Sequence, residues 1–597
     1  MTAIEASRGP SVAGEHKGRF DERSGAVLVV VLLVTILMMA IFHNRFWAPG
    51  DEGNYAHTAE RLLAGEILNR DIQDVHAGYI NFVNAAAFSV FGIRLVSLRY
   101  PLAILTVIQS GLMFLLLRPR GLLSAGVGAL TLASLGFVQF LNPTANWYCL
   151  FLAVVTVSWL RWGPAGRRER LLGAGFLVGT TFLFRQLSGV LLGIGVLIFL
   201  LLEWPRPAGT NSPSLARGLL LVVGGGLAAY LVQATDGLGW LLLGIWPFPI
   251  LLFAWRRTSA PNRELLGALL TLFLGAAAAA LPLIAYHLAH GSLGAWLADT
   301  VGSAVSLPRL DFMQRPGYTL MAVLAAHGLV VGDLAQRLNG ALWLGLLSLA
   351  GVLGWTLLRS LLQRPEQLDM HPLPLIALFY STISVHYQLP IYLFYTAGLS
   401  LTAVLWLTTA PAKTSRLPVL CCATALAAIA LAYQAAMPLS RGLEGIVAGE
   451  RRPLAPLRFA RAGLYVDAED AARYSRYVEV IEHQTQPGDT IFALPHGAIL
   501  YFLTRRTNPF RFYNTALGIR SPADLDAVLN VLRCHPPKLV FYNSNDKYNT
   551  AASARIGRFV QGRYEQLTPL PPFEVFRRRN TPSGNGGGQG SCNEAGR

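Results

Sequence analysis

Charge is what this chain has least of. Only 14% of its 597 residues are Asp, Glu, Lys or Arg, where soluble globular domains carry about 25%. Composition alone therefore excludes a soluble enzyme. The charge present is lopsided, with 49 basic residues against 33 acidic ones and a net charge of +16. Nucleic-acid binding is one reading of such an excess. The arginines, however, cluster between apolar runs, as they do in loops held on the cytoplasmic side of a membrane, so no nucleic-acid partner is expected. Cysteine is also scarce, at five residues without metal-ligand spacing. Cys149, Cys421 and Cys422 fall inside apolar runs and read as small core residues. Alternation over about ten residues, the mark of a membrane barrel, is missing as well.

What is present is continuous apolar sequence: 53% hydrophobic residues and a mean hydropathy of +0.43. A helix needs roughly 20 residues to cross the hydrocarbon core. After a basic flank at Lys17, Arg19 and Arg23, the run Ala26–Phe42 has no small-residue cleavage site behind it, and it reads as an uncleaved anchor with a cytoplasmic N-terminus. Further spans are predicted over 97–117, 121–141, 147–162, 171–185, 187–203, 218–235, 238–255, 266–288, 340–359, 373–389, 391–410 and 417–437. The total is about thirteen. Arg118/Arg120, Arg161/Arg167/Arg168/Arg170 and Arg256/Arg257/Arg263 all fall on the cytoplasmic side of this alternation. Residues 318–334 read as an interfacial helix, because an added span would break the pattern.

The expected fold class is an all-α polytopic membrane bundle with a small C-terminal extracytoplasmic α/β domain. Residues 1–24 form a cytoplasmic tail, 25–439 the membrane domain, 440–579 the α/β domain and 580–597 a disordered tail. In the α/β part, 489–494 and 538–542 read as strands and 522–533 as a helix. It shows no metal cluster, nucleophile elbow or phosphate-binding glycine loop, so its default role is to cover or shape a site.

The chemistry-bearing residues gather in the outer loop 43–96. Asp51-Glu52 comes just after the first span, followed by Glu60, Glu66, Asp71, Asp74 and His76. Two short helices along the membrane surface fit the apolar spacing of this loop. Asp51 at the start of the first would suit capping or catalysis. A carboxylate that orients a hydroxyl or amine and takes its proton contributes about 10²–10⁴-fold, and Asp51 is the candidate, with Glu52 in support. The pair would also suit Mg²⁺ or Mn²⁺, but two carboxylates are only part of a coordination shell and adjacent ones diverge on a helix. Arg185, beside Gln186 in an apolar stretch, is a candidate for holding a phosphate; a charge at that depth faces a cavity or a partner. His386, in His386-Tyr387-Gln388, is a second polar cluster, and an interfacial aromatic belt explains it equally well.

Asp51-Glu52-Gly53-Asn54-Tyr55-Ala56, then Asp74-Val75-His76, Phe91-Gly92 and Gly179-Thr180-Thr181-Phe182-Leu183-Phe184-Arg185-Gln186 together resemble the GT-C superfamily of membrane glycosyltransferases. The likeness is greatest to the bacterial branch related to protein O-mannosyltransferases and lipid A aminoarabinose transferases. It implies a polyprenyl-phosphate-linked sugar as donor, an extracytoplasmic acceptor (lipid, polysaccharide or protein), inversion at the anomeric carbon and the bacterial inner membrane. Asp51 matches the expected catalytic acid residue. Asp74, His76, Tyr79, Arg185, Gln186 and His386 are the expected substrate-binding residues. Many relatives carry Lys-Pro-Pro or Gly-Pro after the second acidic position, where this chain reads His76-Ala77-Gly78-Tyr79. Two other classes remain open on sequence: a transporter or flippase of lipid-linked sugars, and a non-catalytic scaffold. Transporters usually repeat their halves and break helices at the midplane, neither of which is evident here.

Overall fold

The computed structural model describes residues 21–164, 166–204, 214–306, 317–363, 371–409, 416–436, 453–567 and 569–579. The predicted tail 580–597 and most of the predicted N-terminal tail lie outside these residues.

The chain begins with α1 (Glu22–Phe42), whose N–H groups are capped by the Asp21 side chain accepting from the Ser24 amide at 3.0 Å. Then come α2 (Pro49–Leu63), α3 (Tyr79–Phe91), α4 (Tyr100–Leu117), α5 (Leu122–Ser134), α6 (Ala145–Trp162), α7 (Arg167–Phe184) and α8 (Gln186–Glu203). Among the described residues, nine helices are long and apolar enough to cross a membrane, or ten if the bent pair Gly237–Gly244 and Pro247–Arg257 is one span. The predicted thirteen included α6, α7 and the helix over 372–385. The first two are helical but dilute their apolar residues with Arg, Asn, Ser and Thr, and the third is short. Residues 318–331 do form a helix, too short for that test and packed as a hairpin on Leu334–Gln363.

Outward faces of the bundle are apolar, as lipid contact requires; Leu33, Leu37, Leu221 and Phe273 are all more than half exposed. Cys421 and Cys422 also face outward, contrary to the core role expected of them, and Cys149 is buried. Helices meet where side chains are small. A Cβ on Gly175 would lie 2.1 Å from the Leu272 carbonyl oxygen, and one on Gly179 would lie 2.6 Å from the Ala276 Cα. This Gly-x-x-x-Gly face lets α7 and the helix Asn262–Ala289 approach backbone to backbone.

The C-terminal part holds a four-stranded sheet, ordered β3 (Ile491–Leu494), β4 (Leu539–Tyr542), β6 (Glu574–Arg578), β5 (Tyr564–Gln566), after a small antiparallel pair, β1 (Leu454–Pro456) and β2 (Tyr465–Asp467). β3 and β4 are parallel, and the rest of the sheet is antiparallel. The helix Pro522–Cys534 lies in the crossover between the parallel strands. Both predicted strands and the helix between them are present.

This domain is joined to the loop 43–96 by main-chain hydrogen bonds in three places: Tyr465 with Asn44 and Phe46, Leu95 and Val96 with Arg461 and Ala462, and Gln73 with Arg511. The apolar side of α2 (Ala56, Ala59) and Phe88 of α3 share one core with Leu464, Tyr477, Ile499 and Phe502. α2 therefore turns its apolar face to the domain rather than to lipid. A Cβ on Gly53 would fall 2.5 Å from the Ile499 backbone nitrogen, so only glycine admits the helix Ala498–Thr504 at that distance.

Candidate functional site

The chain leaves α1 and turns through Phe46, which takes a left-handed φ of 57°, into Pro49 at the start of α2. Pro49 suits the first turn of a helix, where its missing N–H is not needed. Asp51 and Glu52 thus occupy that first turn, and the two carboxylates part company. Glu52, not Asp51, accepts a main-chain N–H there, from Ala48 at 2.8 Å. It also receives Arg99 on both oxygens, at 2.8 and 3.0 Å, with both side chains fully buried. Arg99 spends its other N–H groups on the carbonyls of His43, Arg45 and Phe46. Glu52 is consequently a clamp between α2 and the turn before it, out of reach of any substrate.

Asp51 points the other way, into a cavity of about 160 Å³. Asn142 donates to its Oδ2 at 3.1 Å. Asp51 remains exposed toward the cavity, while the protein packed around it on its other sides desolvates the carboxylate. Burial accordingly raises its pKa, against the lowering influence of Lys547, the Asn142 hydrogen bond, His76 and Arg185. A carboxylate pushed upward in this way is a better proton acceptor once ionised.

Three cationic or ionisable groups thus converge on Asp51 from separate parts of the chain. His76 is held by Asp74, whose Oδ1 lies 2.8 Å from Nδ1 and accepts the His76 main-chain N–H at 3.0 Å. Asn81 donates to the other Asp74 oxygen. Burial would raise the Asp74 pKa, but His76 and the hydrogen bonds from His76 and Asn81 bring it below the ordinary carboxylate value. Arg185 sits in an extended break (φ −155°) between α7 and α8. There it donates to the Tyr392 hydroxyl at 2.7 Å and lies 5.4 Å from that ring's centre. Gln186 begins α8 and donates to the Val75 carbonyl at 3.3 Å, tying the break to the His76 segment. His386 lies beside Tyr230 and Tyr392, with ring centres 6.3 Å away in each case, and Tyr392 is also the hydroxyl that Arg185 holds.

Tyr79 is placed otherwise than expected. Its hydroxyl donates to the Ala279 carbonyl at 2.5 Å, and Trp296 holds the Ala77 carbonyl at 2.8 Å. Gly78 starts α3 with a φ of 131°, which side chains rarely adopt. His76-Ala77-Gly78-Tyr79 is therefore a docking turn onto the helix Asn262–Ala289, and only His76 of the four reaches the site.

Sequence reasoning expected the C-terminal domain to cover or shape a site but named none of the residues it brings there. The loops after the parallel strands β3 and β4 carry His496 and Lys547. His496 Cε1 lies 2.8 Å from where a Cβ on Gly50 would be, and its ring is 5.2 Å from Tyr548. Lys547 Nζ lies 4.8 Å from the Tyr548 ring. Burial, with Lys547 adding, pulls the His496 imidazole down to about 4. Tyr55 and Tyr513 are also close enough to Asp51 and Asp74 for both carboxylates to raise them further, after burial. Carboxyl ends of parallel strands are where open α/β sheets bind ligands, and that topological rule was the available signal.

A shared metal ion at Asp51 and Glu52 does not fit these residues. Glu52 is taken up by Arg99, Asp74 by His76 and Asn81, and no group of three or more His, Cys, Asp or Glu side chains converges among the described residues. One accessible carboxylate among cations is a poor donor set for Mg²⁺ or Mn²⁺.

Residues 75–224, about a quarter of the chain, match the family model described as dolichyl-phosphate-mannose-protein mannosyltransferase. The resemblance to the GT-C superfamily holds. The matched segment runs from the His76 turn through the Arg185 break, so it covers the membrane half of the site but begins after Asp51. No curated protein sequence matches the chain. Among solved structures, ArnT from Cupriavidus metallidurans bound to undecaprenyl phosphate is similar at 14% identity and a TM-score of 0.38, covering 94% of this chain and 99% of that one. The Archaeoglobus fulgidus oligosaccharyltransferase AglB, in complex with an inhibitory peptide and a dolichol-phosphate, is similar at 13% identity and a TM-score of 0.43, covering 94% and 74%. The apo form of the oligosaccharyltransferase from the same organism gives 14% identity and a TM-score of 0.42, covering 88% and 70%. The resemblance to the GT-C superfamily rests on the family match rather than on these scores.

Proposed function

We propose that this protein is a membrane glycosyltransferase of the hexosyl- or pentosyltransferase class. It moves a sugar from a polyprenyl-phosphate carrier onto an extracytoplasmic acceptor, with Asp51 as general base. The observation that carries the reading is the pairing of one cavity-facing carboxylate with a desolvated arginine in a helix break. The matched family, whose description names a lipid-phosphate-linked mannose as donor, supports it. Asp51 takes the proton of an acceptor O–H or N–H. The acceptor atom bonds to the anomeric carbon from the face opposite the phosphate, giving inversion. The bond from that carbon to the phosphate oxygen breaks, and its electron pair leaves on the phosphate, where Arg185 offsets the charge. His76, oriented by Asp74, acts electrostatically on Asp51, and Gln186 keeps the Arg185 break against the His76 segment. The arginine alternation supports a cytoplasmic N-terminus and an extracytoplasmic site in a bacterial inner membrane.

The test compares membrane glycolipids and glycoproteins by mass spectrometry, with and without the protein, and with Asp51→Asn in its place. A glycan that disappears in both the deletion and the variant is the expected outcome. An Asp51→Asn protein with full transfer activity would sink the base assignment.

A further inference from the structure

The helices Ser214–Ala234 and Asn262–Ala289 are the least buried of the nine candidate spans among the described residues. They are tied together at their first residues. There the Leu215 N–H donates to Asn262 Oδ1 at 3.1 Å, and the Asn262 amide donates to the Ser214 hydroxyl at 3.0 Å. Both helices therefore start at one level, at the end of the bundle that carries Arg217, Arg256, Arg257 and Arg263. Beyond the tie they leave a groove of about 770 Å³. Gly218, Leu219 and Val222 line one side and Leu266 the other, while Asn262 and Arg263 stand at the end where their helix begins. Val222 and Leu266 are 71% and 52% exposed, and a Cβ on Gly218 would meet nothing within 4 Å. From Ser214 to Val222 a helix rises about 12 Å, close to the hydrocarbon depth of one leaflet, about 15 Å. Charge marks one end of this groove. Arg263 has no acidic partner among the described residues, because its neighbour Glu264 pairs with Arg167 at 3.9 Å.

We propose that this groove binds an anionic two-chain phospholipid of the leaflet on the arginine-bearing side, with a chain along its apolar walls and the phosphate at Arg263. Apolar surfaces in a bilayer have no hydrophobic drive to associate, so the chain fills the groove through van der Waals contact and the head group decides which lipid stays. A zwitterionic head brings its own cation to the guanidinium, and an anionic head does not. One Lys or Arg beside an anionic membrane surface contributes about 1 kcal/mol, about fivefold in affinity. The far halves of both walls border the site already described. Tyr230 lies 6.3 Å from His386, Gln388 donates to the Ala234 carbonyl at 3.0 Å, and Tyr79 docks on Ala279. The lipid therefore fills a gap between two helices that hold the His386 and His76 segments. Its binding depends on the membrane setting alone and not on the transfer chemistry.

The experiment places the full-length protein in phosphatidylcholine nanodiscs doped with an equal minor fraction of one of two probes, phosphatidylglycerol or phosphatidylcholine bearing the same diazirine chain. Cross-linked peptides are mapped by mass spectrometry. Peptides containing 214–222 or 262–266 should be labelled about fivefold more by the phosphatidylglycerol probe. Arg263→Gln should bring that ratio close to one, and Arg263→Lys, which keeps the charge, should preserve it. Gly218→Phe fills the groove and should remove labelling by both probes, with the melting temperature kept. Should that variant unfold, Val222→Trp takes its place. Equal labelling of the wild type by the two probes would mean ordinary boundary lipid and overturn the proposal. Labelling that survives the groove-filling substitution, or a groove that neither probe labels, would overturn it too. Displacement of the phosphatidylglycerol probe by trace undecaprenyl phosphate would make the groove a carrier-lipid site and equally refute a bulk phospholipid.

Discussion

At the scale of single residues, two adjacent carboxylates have opposite fates because a helix turns its side chains by about 100° per residue. Asp51 meets the cavity, and Glu52 meets Arg99. Burial raises the Asp51 pKa, so its folded state holds a proton more tightly than the unfolded chain does. The ionised form then lowers stability at neutral pH, and the sign of the linkage makes Asp51→Asn neutral or stabilising. We expect this variant to keep or raise the melting temperature in detergent while transfer falls by about 10²–10⁴-fold. A large drop in melting temperature would show that Asp51 is structural. Activity requires the deprotonated base, so the acid limb of the pH–rate profile should lie above the ordinary Asp value of about 3.9. An acid limb at or below that value would contradict the burial argument.

At the scale of elements, α2 is positioned by charge on one side and by the absence of a side chain on the other. Breaking a buried ion pair leaves an uncompensated charge and destabilises by about 3–5 kcal/mol. Glu52→Gln and Arg99→Met should each do so, read as a lowered midpoint of thermal unfolding. The double variant should recover part of the loss, since it leaves neither charge buried alone. Simple additivity of the two losses would argue against the pair. Gly53→Val should force α2 away from Ile499 and abolish transfer, with membrane insertion intact. Normal activity in that variant would mean that the close approach is dispensable. The spacing of Tyr55, Ala59, Leu62 and Leu63 showed an amphipathic helix with acids at its start. It could not show which acid was occupied, because Arg99 is 47 residues downstream of Glu52.

At the scale of the whole molecule, the C-terminal domain belongs to the site. Asp299 links three separated regions: Asn69 donates to it at 3.1 Å, Arg511 pairs with it, and Arg520 lies at 3.4 Å. Asp299→Ala should loosen this lock, seen as faster amide exchange in both 66–76 and 511–520. An increase confined to the helix Leu293–Ser306 would not support coupling between loop and domain. Lys547→Met should remove the leading cationic influence on Asp51 and move the acid limb of the activity profile further upward in pH. An unchanged limb would mean that the domain acts on Asp51 only by shape.

The membrane class, the first span and the α/β character of the C-terminal part were readable before folding, and Asp51 and Arg185 stood out as separate candidates. They follow from composition, run length and local motif, each a property of neighbouring residues. The clamp on Glu52, the docking of Tyr79 onto Ala279, the hydrogen bond from Asn142 to Asp51 and the reach of Lys547 across the domain boundary were not. Those depend on residues tens to hundreds of positions apart meeting in a low-dielectric interior. There, hydrogen-bond satisfaction and the absence of a Cβ decide which side chain stays free to react.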